Sequence, residues 1–149
     1  MARKIISSGL ETRSPGLTPK SGVSILAGNA VRLDPSDLTG STITLADGGC
    51  GTTGFANESN VAPLSAWMFY DDVNRGGLIS FSKGSMNIEL FNDGRGDVFV
   101  RQDNYTPGEL VYSNSVGLIT VVAGAGAAIG KVVKAPASST DSLIIESLI

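Results

Sequence analysis

Gly28-Asn29-Ala30-Val31-Arg32-Leu33-Asp34 and Gly108-Glu109-Leu110-Val111-Tyr112-Ser113-Asn114 open two copies of one phrase. The first copy runs on through Gly40-Ser41-Thr42-Ile43-Thr44-Leu45-Ala46 to Gly54-Phe55-Ala56. The second runs through Gly117-Leu118-Ile119-Thr120-Val121-Val122-Ala123 to Gly130-Lys131-Val132. Each has a Gly, a Val three residues on, a turn, a Gly-led β-branched run, a Gly-rich turn and another short run. Such runs between Gly-rich breaks read as short strands held by tight turns. The expected fold is therefore all-β: a compact β-sandwich or barrel-like domain over 22–149, with a weak internal repeat at 28–56 and 108–132. Residues 1–21 lack periodicity and are punctuated by Ser14-Pro15-Gly16 and Thr18-Pro19-Lys20. They read as an extended N-terminal arm, ordered by a partner.

The chain has 149 residues, of which 42% are apolar, enough for one domain with a core. Nineteen Gly and six Pro call for many turns, and only 17% of residues are charged. There is no His, which removes the commonest general base, metal ligand and pH switch together. The single Cys50 rules out an internal disulfide and a zinc site of the usual Cys/His kind. Net charge is −3, but unevenly spread. Residues 1–20 hold Arg3, Lys4, Arg13 and Lys20 against Glu11, a basic arm on an acidic body that suits a negative partner surface. Ser7, Ser8, Gly9 and Glu11 end the first apolar run too soon for a signal peptide, and no run reaches the ~20 residues of a membrane span. Synthesis in a cytoplasm and no membrane partner are expected.

Along the body, strands are expected over 22–27, 30–33, 42–46, 78–81, 86–91, 97–101 and 142–149. Ser82 to Ser85 reads as a loop, and Asn92-Asp93-Gly94-Arg95-Gly96 as a hairpin turn. Trp67, Phe69 and Tyr70 read as core or subunit contact. The acidic Asp71-Asp72 that follows them would repel phosphate, so a nucleic-acid stacking platform is not expected.

Several phrases resemble chemistry without completing it. Gly124 to Gly130 is spaced G-x-G-x-x-x-G, and Pro136 stops any helix needed for a dinucleotide site. A phosphate loop ending at Gly130-Lys131 would want Gly at 125 and Ser or Thr at 132, where Ala125 and Val132 stand. Asp71-Asp72 and Asp93/Asp97 complete neither a hydrolase pair nor a calcium loop. A serine nucleophile without His would need a Lys base. No catalytic, cofactor-binding or metal-ligating residue is assigned, and no enzyme activity, cofactor or small-molecule substrate is expected.

The second copy and the end of the chain are similar to a known kind of protein. Gly108-Glu109-Leu110-Val111-Tyr112, Gly117-Leu118-Ile119-Thr120, Ile129-Gly130-Lys131-Val132 and the apolar Leu143-Ile144-Ile145 resemble tailed-bacteriophage capsid decoration (cement) proteins. That family often shows a G-x-x-V-Y/W strand, a small-residue turn, an I-G-x-V strand and an apolar C-terminal strand. The resemblance covers 108–149, and 22–56 more loosely. It implies a virion structural protein on the outer capsid surface, commonly a homotrimer, that binds the major capsid protein and stabilises contacts between capsomers. The arm, through Arg3, Lys4, Ile5, Ile6, Leu10 and Arg13, would be the capsid-binding element, with Trp67, Phe69 and Tyr70 at subunit contacts or in the core. The alternative is a fibre-like or adhesive recognition module of a virion, suggested by Arg95-Gly96-Asp97 at a turn and by the Ser/Thr/Asn-rich loops.

Overall fold

The computed structural model describes residues 3–49, 51–61, 77–92, 94–138 and 140–149, with the backbone alone over 3–10. Its strands are β1 (Arg3–Arg13), β2 (Thr18–Pro19), β3 (Ala30–Leu33), β4 (Thr42–Leu45), β5 (Gly54–Ala56), β6 (Phe81–Leu90), β7 (Leu110–Ser113), β8 (Ile119–Thr120), β9 (Gly130–Lys134) and β10 (Leu143–Ser147). The chain is all-β. The strands form one mixed sheet in the order β2-β4-β3-β5-β6-β10-β9-β7-β8, with β1 paired to β6 off that path, and the sheet does not close into a barrel.

The two copies of the opening phrase make the same local pairings. In each, the first strand lies between the other two: β3 between β4 and β5, and β7 between β8 and β9. Val31 faces Gly54 and Val111 faces Gly130. Upstream, Pro19 bridges Ile43 in parallel, as Phe99 bridges Ile119. Gly28 and Gly108 open the copies at φ 98° and 91°, a conformation that strains any residue with a Cβ. Their N–H groups donate to Ala56 and Val132 at 2.9 and 2.8 Å. Ile25, Val31, Ile43 and Ala56 occupy positions matched by Tyr105, Val111, Ile119 and Val132, and all eight are buried. The first four sit in a small core with Leu17 and Ile79. The second four belong to a larger core shared with Phe55, Met86, Ile88, Leu90, Leu143 and Ile145.

Gly54 and Gly130 are required by closeness to the next strand. A Cβ at Gly54 would lie 2.7 Å from both the Phe81 ring and the Ser82 carbonyl; one at Gly130 would lie 3.0 Å from Ile145 Cδ1 and 3.1 Å from the Glu146 carbonyl.

β6 joins the two halves. Phe81 and Ser82 pair with β5, while Asn87 to Leu90 pair with β10. Between these partners the Gly84 N–H donates to the Ile149 carbonyl at 2.6 Å. The expected loop over 82–85 is instead continuous strand. Its turn-like composition is overridden because β1 pairs across it, with Ser82, Lys83 and Gly84 opposite Arg13, Thr12 and Glu11. Within the segment expected as an arm, residues 3–13 run antiparallel along β6, with irregularities at Ile5/Ser7 and Ser8/Glu11. Leu17 is buried and β2 pairs with β4, so the chain joins the body by residue 17.

Two other expectations differ. Residues 22–27 form no strand: the Ile25, Leu26 and Ala27 N–H groups donate to the side chains of Asn60, Asn29 and Ser59. Side-chain acceptors thus replace the neighbouring strand that buried backbone otherwise needs. Residues 97–101 contribute only the bridge at Phe99, and the Val98 N–H is taken by Asn92 Oδ1 at 2.7 Å.

Candidate interaction surface

β1 lies at the edge of the sheet, paired on one side to β6, and no other described strand meets it. Its end is fastened by a polar network. Arg13 Nη2 pairs with Glu58 at 2.8 Å, and its Nε donates to Ser80 Oγ at 3.2 Å. Glu58 also accepts from the Ser80 N–H at 2.7 Å, and Glu11 accepts from Ser82 Oγ, also at 2.7 Å. Arg13, expected to reach toward a partner, therefore has its guanidinium engaged within the chain, though its side chain remains 60% exposed. For Arg3, Lys4, Ile5, Ile6 and Leu10 the backbone is placed along β6 and the side chains lie outside the described residues. Trp67, Phe69 and Tyr70 also lie outside them.

The Arg95-Gly96-Asp97 triplet is not carried on a strand hairpin. Arg95 donates to the Val61 carbonyl at 3.4 Å, and Asp97 pairs with Arg101 at 2.9 Å. Ser80 and Lys83 have the spacing of a serine–lysine pair. Ser80 is buried on Glu58, Arg13 and Asn57, however, while Lys83 is exposed. Among the described residues no three Cys, Asp or Glu side chains gather as metal ligands.

A hollow of about 300 Å³ opens between residues 99–105 and 136–138. Several of the polar groups at its wall bond within the chain. Asp103 accepts from Thr120 Oγ1 and the Val121 N–H. The Tyr105 hydroxyl is shared between the Val100 and Ile119 carbonyls at 2.9 and 3.1 Å. Burial, with Asp103 nearby, pushes that phenol well above its ordinary range. Phe99 meets the Tyr105 ring edge-on, with centroids 5.8 Å apart. The Ser138 hydroxyl lies 3.2 Å from Thr140 Oγ1 rather than beside a base.

The loop on this hollow is fixed by Asp141. Its carboxylate accepts from the Ala137 N–H, from Lys134 and from the Ser142 N–H, which lower its pKa to about 2. A carboxyl whose pKa falls on folding favours the folded loop above its unfolded value of about 3.9 and loses that contribution as pH drops toward 2. Carboxyl NMR should give Asp141 a midpoint near 2, with Lys134→Met moving it upward; a midpoint unperturbed from an ordinary carboxylate would refute the arrangement.

The sequence marks Asp34-Pro35-Ser36-Asp37 as a turn between β3 and β4, but not the carboxylate network that fixes it. Asp37 Oδ1 accepts from the Thr39 N–H and hydroxyl at 3.0 and 2.6 Å, and Oδ2 accepts from Ser41 and Thr42 at 3.0 and 2.7 Å. These bonds, the Thr39 hydroxyl first, hold its pKa far below the carboxylate range. Asp34 similarly accepts from Ser36. The turn so fixed holds Leu38 97% exposed. The signal was available: two successive Asp-x-Ser/Thr phrases, 34–36 and 37–39, each able to cap its own backbone, with the leucine as the middle residue of the second.

Comparisons with known protein families, with characterised proteins and with solved structures find no match to this chain. Exposed Leu33, Leu38, Leu110, Val116, Val122 and Leu148 place large apolar groups in contact with solvent.

Proposed function

We propose that this chain is a non-enzymatic virion structural protein. It decorates the outer surface of an icosahedral phage head as a homotrimer, assembling in the host cytoplasm and stabilising contacts between capsomers through the major capsid protein. The observation that carries this reading is the edge position of β1, whose second side pairs with no described strand and would suit an added strand or an extended capsid segment. The segments that resemble decoration proteins contribute β7, β8, β9 and β10, which are successive in the sheet. A clip that binds only the expanded shell stabilises that state by mass action, and many modest contacts act together over a lattice. The adhesive alternative is less favoured because Asp97 would have to exchange its Arg101 partner for a receptor.

The reading is tested first by whether a major capsid protein is encoded beside this chain, and then by co-sedimentation with expanded shells built from it. Full-length protein should sediment with them, and protein lacking residues 1–13 should not. A cut after residue 20 is unsuitable, since it also removes β2 and buried Leu17. Arg3→Glu with Lys4→Glu provides a second arm that retains the β1 backbone and should weaken binding at least about tenfold. Full-length protein that never sediments with shells would overturn the proposal.

A further inference from the structure

We propose that copies of this chain join head to tail, Leu38 of one copy entering an apolar hollow on the next. The hollow has a volume of about 140 Å³ and is walled by Gly49, Gly51, Ala127, Ala128, Ile129 and Ile149, with Thr52 the one polar side chain among the described residues of its wall. Enclosed apolar cavities of about 150 Å³ accept a six-carbon ring, so this hollow, though open to solvent on one side, has room for the four-carbon side chain of leucine.

The other half is the β3–β4 turn. Leu38 is 97% exposed and cannot be filling its own chain's hollow. Four hydrogen bonds to Asp37 immobilise the residues beside it, so little further ordering is needed for docking. The corresponding turn of the second half is directed inward: the Gly117 carbonyl accepts from the Ala30 N–H at 3.0 Å. The first-half turn has more residues between its strands and extends into solvent. Leu33, 39% exposed at the end of β3, and Leu148, 49% exposed and next in sequence to Ile149, are further apolar side chains open to solvent on these elements.

Knob and hollow are different patches of one chain, so the contact is heterologous and repeats until a ring closes. This contact would supply the three-fold assembly of the preceding reading. Its test uses purified protein alone, so failure here leaves the shell-binding result untouched.

Sedimentation equilibrium should show full-length chain increasing in mass with concentration toward a fixed multiple. Leu38→Asp removes the knob, and Ala127→Trp fills the hollow. Each variant should retain the wild-type thermal transition and associate at least about tenfold more weakly. Mixed one to one, the variants have one working knob and one working hollow per pair, and should form dimers and nothing larger. A wild-type chain monomeric up to millimolar concentration, an unchanged mass for Leu38→Asp, or a mixture without dimers would each overturn the proposal.

Discussion

Phe55→Ala is expected to lower the free energy of unfolding by about 3–5 kcal/mol, a large part of the roughly 5–15 kcal/mol that holds a domain of this kind together. Phe55 is fully buried in the larger core and lies on β5 between Ala30 and Ser82. Its loss leaves a cavity between two hydrogen-bonded neighbours, where the backbone has little freedom to collapse. Urea unfolding followed by tryptophan fluorescence should show a lower midpoint with an unchanged slope. A loss below about 1 kcal/mol would be incompatible with this packing.

Gly54→Val should cost about 3 kcal/mol, at the upper end of what overpacking takes, and more than Gly130→Val. At Gly54 the added carbon would lie 2.7 Å from the Ser82 carbonyl, a backbone atom fixed by strand pairing. At Gly130 the nearest atom is the movable end of the Ile145 side chain at 3.0 Å. The two glycines occupy matched positions, each opposite a valine, so the comparison isolates the steric difference. Equal losses in matched urea titrations would contradict it.

The strands legible in the sequence were those with their own turn chemistry. Gly28 and Gly108, Asp34-Pro35 and Asn114, and β-branched runs at 42–45 and 143–147 locate β3, β4, β7 and β10. The sequence divides β6 into two strands because Ser82-Lys83-Gly84-Ser85 has loop composition; pairing with the distant β1, with Phe55 and with the Ile149 carbonyl keeps it extended. Residues 22–27 were misread for the opposite reason. Their β-like composition is satisfied by Asn29, Ser59 and Asn60, which no local pattern reveals. The proposed binding arm was legible as charge, whereas its pairing depends on residues some eighty positions away. Leu38 was passed over because one exposed leucine in a polar loop gains significance only beside a rigid carboxylate network.

The shared strand β6 has a mechanical consequence. Tension applied along β1 acts as shear on its antiparallel bonds to β6 and loads many of them together instead of opening them one by one. Because β5 and β10 grip successive stretches of β6, that strain is distributed to both halves of the molecule. A tug on the first strand would be resisted by the whole body.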